Sequence, residues 1–405
     1  MPYVEGRIVH DADSHLMELP DCLDAYFDPK YRARYHDLAA WRAKCEAGEV
    51  FLGGAASESK WDERVRNRQA DPTFKEDADA NILLRKNYDA MGAYLPADRR
   101  RAMDLLGFSS QLVFSSFCLD NFGLNATEEM DLCYAAASAH NRMISDFCAA
   151  DKRLLAVANV PLEDFDHAAA AVREAIQLGC KAIRVPARCP KHHSPSHLAL
   201  DPVWAAAQEA GLPIVFHVEG VDTIQPAYFV NGLPRVKDFH GGDQNLNSVS
   251  FMPVPYDVMN TLSALIFDNV LDRFPNLKFG VIELGASWAP GWMRLLDDAV
   301  GAFSKNEERL RRLSAKPSEI VRRQVRMTPY CHEDTGWIIA NAGEEIFIFS
   351  SDYPHVEGGR NPVKRFEDSL AGVSAAAKER FYSSNFVDMM GAGLPAELAH
   401  AKRVA

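Results

Sequence analysis

The sequence lacks the features that mark several classes of protein. It contains no run of 18 apolar residues, so no transmembrane helix is expected. Its first residues, MPYVEGR, contain no apolar segment of the kind found in a secretory signal peptide. The eight cysteines include no CxxC pair, which argues against a zinc ribbon or a thioredoxin motif. These absences predict a cytoplasmic, unanchored protein with reduced thiols.

Basic residues are outnumbered by acidic ones. Lys and Arg number 44 against 56 Asp and Glu, which gives a net charge of -12 at pH 7. The basic residues are scattered rather than gathered in a stripe, so neither nucleic acid nor an anionic membrane is expected as a partner. The one dense basic run, Arg99 to Arg101, is interpreted as the solvated start of a helix. A small molecule is therefore the expected partner.

Short apolar, β-branched runs alternate with Ala-rich amphipathic stretches along the chain. Strand and helix repeated to a count of eight are typical of a (β/α)8 TIM barrel of the α/β class. No internal repeat or linker divides the chain, so we predict one domain over residues 1–405. The predicted strands are 7–13, 110–116, 154–160, 181–186, 213–218, 277–283, 324–329 and 345–351, and the clearest predicted helices are 127–149, 164–179, 200–211, 256–273 and 373–384.

Two connections are too long to be simple barrel loops. Residues 17–105 form an insertion after the first strand, and residues 219–254 form a lid-like loop after the fifth. In a barrel, the loops that follow strands lie on the catalytic face, and loops of this length usually carry function. We expect both connections to contribute to a substrate pocket.

Acidic and histidine residues stand at the ends of three predicted strands that are far apart in sequence. Asp13 and His15 end the first, His217 ends the fifth, and Asp352 follows the eighth. Asp13 and His15 are two residues apart on a strand, so their side chains point to the same face. In a closed parallel sheet these strand ends converge at the mouth of the barrel, where catalytic groups collect. A metal ion is the simplest reason to bring them together.

The sequence resembles the amidohydrolase superfamily, and within it the amidohydrolase 2 branch that is related to aminocarboxymuconate semialdehyde decarboxylase. The resemblance covers nearly the whole chain. It implies a distorted TIM barrel that holds a divalent metal through ligands on the first, fifth and eighth strands, and it makes a homo-oligomer, by default a dimer, the expected assembly. It rests on DADSH at 11–15, PIVFH at 213–217, DRFPNLKF at 272–279 leading into ELGASW at 283–288, and SDYPHVEGG at 351–359.

Carried over by position, the family's HxH motif falls on Asp13 and His15, so an aspartate replaces its first histidine. His217 matches the ligand of the fifth strand, and Asp352 matches the aspartate that binds the metal or its water. The sixth-strand position, often a histidine that acts as acid or base, is Glu283. The resemblance thus assigns Asp13, His15, His217 and Asp352 to the metal, with Asp352 and Glu283 in catalysis.

Both departures from the family pattern add negative charge. Three carboxylates around one dication favour zinc, manganese or iron over thiophilic ions, and zinc is the expected metal, with manganese and iron also suited to this ligand set. The excess charge can be relieved if Glu283 holds a proton, or if a second cation binds. A second metal would use Glu283 and His355, with Glu357 nearby.

Three further residues are candidates for substrate contacts. His240, on the long loop after the fifth strand, is expected to reach the pocket and assist catalysis. Arg184 and Arg188, at and beyond the end of the fourth strand, are candidates for binding a substrate carboxylate, although a salt bridge at the surface or the barrel rim is the favoured alternative for each.

These observations support a metal-dependent hydrolase or decarboxylase that acts on a small carboxylated, aromatic-derived molecule. Two alternatives keep the fold. One is a dinuclear iron or manganese oxygenase, since an acidic site can support oxygen chemistry. The other is a metal-binding subunit that pairs with an active paralogue.

Overall fold

The computed structural model describes residues 1–19, 22–32, 66–117, 129–218, 225–234 and 248–399. Within these ranges, seven parallel strands form one sheet in sequence order, β1 to β7. The seven predicted strands up to residue 329 are present; six lie within their predicted bounds, and the first is shifted from 7–13 to His10–Leu16. The strands are His10–Leu16 (β1), Ser110–Ser115 (β2), Leu154–Asn159 (β3), Ala182–Arg184 (β4), Ile214–His217 (β5), Phe279–Ile282 (β6) and Val325–Met327 (β7).

The predicted eighth strand, 345–351, is not a regular strand. Its segment makes isolated parallel bridges only, between Met327 and Phe347 and between Ser14 and Tyr353. A continuous ladder cannot form because the N–H of Phe349 donates to the carbonyl of Phe381, 2.9 Å away, instead of to a neighbouring strand.

This segment nevertheless joins the two edges of the sheet. On one side the N–H of Ile348 donates to the carbonyl of Met327 at the end of β7, at 3.0 Å. On the other side the N–H of Ala12 in β1 donates to the carbonyl of Phe349, also at 3.0 Å. The curled sheet with helices around it is therefore TIM-barrel-like. The segment in place of the eighth strand brings the loop that follows it next to β1.

Helices follow most of the strands. The predicted helix 164–179 begins after Asp164, whose side chain accepts the N–H of His167, and the predicted helix 200–211 ends at Gly211 in the left-handed conformation. Residues 66–70 are also helical. The remaining α-helices described are Pro29–Arg32, Pro72–Ala80, Pro96–Leu106, Met130–Cys148, Phe165–Gln177, Asp201–Ala210, Ser248–Phe251, Tyr256–Phe267, Val270–Arg273, Ala289–Phe303, Glu308–Arg311, Pro317–Gln324, Thr335–Ala342, Pro362–Ser369, Ala375–Glu379, Asn385–Met390 and Ala396–Ala399, and a π-helical turn spans Arg380–Ser384.

Alternate strand residues fill the interior of the sheet, and the C-terminal helix Asn385–Met390 closes one end. Phe386 is fully buried there and stacks on His10, the first residue of β1, with ring centroids 5.1 Å apart. Met389 lies so close to the start of β6 that a Cβ atom on Gly280 would be 3.0 Å from its sulfur. Because this helix closes the end where strands begin, the open end is the one where they finish.

The described part of the first insertion packs onto that open end. The N–H of Asn87 donates to the carbonyl of Pro354 at 2.9 Å. Arg99 is fully buried, donates to the carbonyl of His15 at 3.1 Å and lies over the ring of Tyr353. The interpretation of Arg99 as a solvated residue was wrong, because its guanidinium hydrogen-bonds backbone beneath the mouth of the barrel. Within the described ranges, no helix is both long and apolar enough to cross a membrane.

Candidate metal centre

An irregularity in β1 places the first two site residues. The register against β2 shifts between Asp11 and Ser14, so the strand bulges at Asp13. Asp13 and His15 both lie at the mouth of the barrel, with 3.2 Å between Asp13 Oδ1 and His15 Nε2. The predicted shared face of Asp13 and His15 is confirmed.

Asp11 holds this bulge in place from below. Its carboxylate accepts hydrogen bonds from the backbone N–H of Ser351 at 2.7 Å, the Ser351 hydroxyl at 2.6 Å and the Gln111 amide at 2.7 Å. Burial raises the pKa of Asp11 to about 7, although these hydrogen bonds act to lower it. Asp11 thereby ties β1 to the loop that carries Asp352, a role that its place in the sequence motif does not reveal.

His217 and Glu283 complete the centre from β5 and β6. His217 is the last residue of β5, and its Nε2 lies 3.4 Å from Asp13 Oδ1 and 3.3 Å from Glu283 Oε2. Glu283 directly follows β6, and its Oε2 lies 3.9 Å from His15 Nε2. The strand ends therefore converge as the sequence predicted.

Asp352 and His355 approach the centre from the segment that joins β7 to β1. Asp352 Oδ1 lies 3.5 Å from His15 Nε2 and 3.1 Å from His355 Nδ1. The ring of His355 is fully buried, stacks on that of His15 at 3.9 Å and makes a hydrogen bond of 2.8 Å with the Ser116 hydroxyl through Nε2. Asp352 thus faces the centre and a second imidazole at once.

Two residues of the centre have left-handed backbones, which side chains other than glycine rarely adopt. Glu283 has φ of 55° and Asp352 has φ of 53°. The N–H of Glu283 donates to the Thr328 hydroxyl at 2.9 Å, and the Tyr330 hydroxyl donates to the carbonyl of Glu283 at 2.7 Å. The N–H of Asp352 donates to the carbonyl of Asp13 at 2.9 Å. Strain of this kind is concentrated at functional sites, where surrounding contacts maintain it.

Electrostatics prepare Asp13 and His217 to act as ligands. Burial acts to raise the pKa of Asp13, but His217 and His15 outweigh it, and the net pKa lies well below its usual range. Burial lowers the pKa of His217 against the opposing effect of Asp13. Metal binding requires ionised carboxylates and neutral imidazoles, and both shifts are in that direction.

The donor set fits a divalent cation. Asp13 Oδ2 is buried and accepts no hydrogen bond from the described residues, and the buried His15 Nε2 has only carboxylate oxygens at 3.2 to 3.9 Å around it, an arrangement that is costly unless an ion binds there. Imidazole and carboxylate ligands suit manganese, iron and zinc. In the part of the chain that the structure describes, two groups of four residues have ligand atoms within 4.8 Å of one another: Asp13, His15, His217 and Glu283, and His15, Glu283, Asp352 and His355. His15 and Glu283 belong to both groups, so one ion is the simplest occupant.

A cavity of about 470 Å³ opens above the centre. Asp13, Glu283 and Asp352 form part of its lining, and the rings of Phe251, Tyr330 and His332 form an aromatic wall. The rings of Tyr330 and His332 are stacked, with centroids 5.4 Å apart and planes 7° from parallel, and the ring of Phe251 lies 5.5 Å from that of Tyr330. This size is typical of a site for a small molecule.

The structure brings together the predicted residues Asp13, His15, His217, Glu283, Asp352 and His355. Neither Arg184 nor Arg188 lines the cavity. Arg184 is buried and donates to the side chain of Asn159 at 2.9 Å. His240 and the rest of 235–247 lie outside the described residues, so its catalytic role stays a prediction.

Sequence reasoning missed several residues around the cavity. Thr328, Tyr330 and Arg365 line it, but they do not belong to the metal-ligand pattern. Thr328 directly follows β7 and Tyr330 lies two residues further on, and this position just beyond a strand end was the available signal. Arg365 lies on the helix Pro362–Ser369, so reasoning from the ends of strands could not predict it.

The structure thus places a buried cluster of His, Asp and Glu side chains, suited to a divalent cation, at the open end of a TIM-barrel-like sheet. A family model described as "Amidohydrolase" matches residues 120–385, and the chain belongs to this family, the amidohydrolase 2 branch. The predicted family is confirmed. No curated protein sequence matches the chain significantly.

Solved structures of similar fold cover nearly the whole chain. An amidohydrolase from Mycobacterium avium subsp. paratuberculosis K-10 is 21% identical, with a TM-score of 0.71 over 96% of this chain and 100% of that one. A 5-carboxyvanillate decarboxylase from Novosphingobium aromaticivorans DSM 12444, complexed with manganese and 4-hydroxy-3-methoxy-5-nitrobenzoic acid, is 18% identical, with a TM-score of 0.63 over 95% and 96%. A dihydroxybenzoic acid decarboxylase from Polaromonas sp. JS666, with bound manganese and 2-nitroresorcinol, is 14% identical, with a TM-score of 0.59 over 98% and 100%.

Proposed function

We propose that the protein is a metal-dependent decarboxylase of a small aromatic carboxylate. The observation that carries the proposal is the buried cluster of three imidazoles and three carboxylates at the base of a cavity with an aromatic wall. Two of the similar structures are named as decarboxylases of aromatic acids and contain manganese. For this reason manganese is our first choice of metal, while zinc, the expectation from sequence, stays an untested prediction.

Asp13, His15 and His217 would hold the ion, with Asp352 and Glu283 beside it. A divalent cation bound there supplies a Lewis acid that stabilises negative charge on substrate oxygens. The rings of Phe251 and Tyr330 would pack on the aromatic ring of the substrate and hold its reacting carbon next to the carboxyl groups.

Decarboxylation needs a proton at the ring carbon that carries the carboxylate. We assign its delivery to Asp352, assisted by Glu283, because crowded carboxylates favour retention of a proton on one of them. The proton forms a bond to the ring carbon, the bond to the carboxylate carbon breaks, and its electron pair restores the aromatic ring as carbon dioxide leaves. His355, 3.1 Å from Asp352 Oδ1, would orient the carboxyl group of Asp352.

The alternative chemistries have less support. Hydrolysis uses the same ligands but would not require an aromatic wall. A dinuclear oxygenase requires two ions, and the two candidate ligand groups share His15 and Glu283. The expected homo-oligomer and the paralogous partner subunit stay predictions.

The test is to incubate manganese-loaded protein with a panel of hydroxybenzoates in deuterium oxide. We expect carbon dioxide release and deuterium at the ring carbon that carried the carboxylate. Asp352→Asn should lower the rate by about 100-fold or more, as expected for a lost acid or base group. Asp298→Asn, at an exposed position of the helix Ala289–Phe303, is the matched control and should leave the rate unchanged.

Three results would contradict the proposal. Full activity in Asp352→Asn would remove that residue from the chemistry. Cleavage of esters or amides without carbon dioxide release would make the protein a hydrolase. Consumption of dioxygen in step with turnover would favour the oxygenase.

A further inference from the structure

Negative charge dominates the lining of the cavity. Asp13, Glu283, Asp352 and Glu357 all contribute to it. A dication and the half-buried Lys86, which interacts with Asp352 and Glu357, offset only part of this charge, so an anionic substrate needs further positive charge in order to enter. Among the described residues that line the cavity, Arg365 is the one Lys or Arg side chain.

The helix holds the backbone of Arg365, while its side chain is exposed at the cavity and, among the described residues, makes no ion pair. Phe366, the next residue, is buried against Phe349 and Phe381 at centroid distances of 5.6 and 5.1 Å, which anchors the helix Pro362–Ser369 to the core. Within the described ranges, no carboxylate lies within 4.0 Å of the Arg365 guanidinium, whereas Arg322, Arg326 and Arg380 each pair with one.

The partner that the guanidinium does have is a weak one. Arg365 Nη1 donates to the sulfur of Cys331 at 3.4 Å, and thiol sulfur is a poor acceptor. The remaining N–H groups of a guanidinium form a planar fork that matches a carboxylate. Cys331 lies between Tyr330 and His332 in the sequence, so the guanidinium is next to the aromatic wall.

We propose that Arg365 binds a second anionic group of the substrate, at the far side of its ring from the metal centre. The substrate class is then an aromatic carboxylate with a second carboxylate or comparable acidic group. This inference rests on the proposed function, which supplies the metal-bound end of the molecule. It adds the residue that selects a dianion over a monoanion.

The test measures binding of three probes to manganese-loaded protein by calorimetry. Benzoate has one carboxylate, isophthalate has two, and 3-carbamoylbenzoate has the shape of isophthalate without its second charge. Wild-type protein should bind isophthalate about tenfold or more tightly than either other probe, since a charge-assisted bidentate pair is among the strongest hydrogen-bonding contacts. Arg365→Met should abolish this preference and leave the affinity for benzoate within about twofold.

Two further variants separate charge from fold. Arg365→Lys keeps the charge but not the fork and should restore part of the preference. Lys364→Met is the matched control, because Lys364 lies next to Arg365 on the same helix and pairs with Asp368 at 2.7 Å. It should bind all three probes as wild type does.

The outcomes distinguish this inference from the proposed function. If benzoate binds only in the presence of manganese but Arg365→Met keeps the preference for isophthalate, the role of Arg365 is overturned and the proposed function stands. Equal weakening of all three probes by Arg365→Met would also overturn it, because it would indicate a structural role. If none of the probes binds to manganese-loaded protein, both proposals are overturned.

Discussion

Tyr330→Phe removes one hydroxyl group and tests how the centre is held together. The Tyr330 hydroxyl donates to the carbonyl of Glu283 at 2.7 Å, and the Thr328 hydroxyl accepts the N–H of Glu283 at 2.9 Å. These two hydrogen bonds hold Glu283 at φ of 55°, a conformation that costs about 1–3 kcal/mol. Each hydrogen bond contributes about 0.5–1.5 kcal/mol net to stability. One hydrogen bond alone therefore does not offset most of the cost of the left-handed backbone.

We therefore expect Glu283 to leave its position for part of the time in the variant. A loss of about 1 kcal/mol corresponds to roughly fivefold weaker binding of manganese, measured by competition with a chelator of known affinity. The ring that stacks on His332 is retained, so the aromatic wall should not change. The double variant Tyr330→Phe, Thr328→Val should bind manganese more weakly still.

Tyr228→Phe is the matched control, since Tyr228 is 70% exposed and far from these contacts in sequence. It should bind manganese with wild-type affinity. If Tyr330→Phe and the double variant also bind manganese as wild type does, the two hydroxyl groups do not hold the Glu283 carboxylate beside the ion, and the reasoning is refuted.

Three further predictions concern stability and charge. Phe386→Ala should lower the free energy of unfolding by about 3–5 kcal/mol in urea titrations, because it leaves a cavity at the closed end of the barrel, where Phe386 is fully buried. A loss below about 1 kcal/mol would mean that the helix Asn385–Met390 does not close the sheet. Burial lowers the pKa of His140 to about 4. The free energy of unfolding should therefore fall as the pH is lowered from 6.5 to 4, with at most about 3 kcal/mol of the loss due to this residue, and the loss should be smaller in His140→Gln. Parallel curves of unfolding free energy against pH for the two proteins would contradict this. Burial lowers the pKa of Lys86 to about 8, although Asp352 and Glu357 act to raise it. Lys86→Met should therefore bind manganese roughly threefold or more tightly than wild type at pH 7, where the variant loses a nearby positive charge, and no more tightly at pH 9, where the wild-type amine is already neutral. Weaker binding by the variant at pH 7 would indicate a structural role for Lys86 instead.

The sequence predicted the elements whose signals are local. Buried apolar runs such as 213–218 predicted the strands, and the polar residues at their ends predicted Asp13, His15, His217 and Asp352 at one site. This inference succeeds because parallel strands in a closed sheet place their carboxyl ends together whatever their separation in sequence.

Features that depend on tertiary contacts were not predictable in the same way. The bulge at Asp13 and the left-handed backbones of Glu283 and Asp352 are maintained by partners 45 or more residues away, such as Thr328 and Ser351. Arginine is usually found at the surface, yet Arg99 is buried because the insertion that carries it packs onto the barrel.

The central claim is that Asp13, His15 and His217 hold one divalent cation. Elemental analysis of protein purified without chelator tests it most directly, with Asp13→Asn and Asp298→Asn analysed beside the wild type. The account predicts about one equivalent of manganese, iron or zinc per chain in the wild type and in Asp298→Asn, and a clear loss in Asp13→Asn, because removal of an ionised ligand weakens a site of this kind. Wild-type protein without metal above background, or Asp13→Asn with a full equivalent, would contradict it.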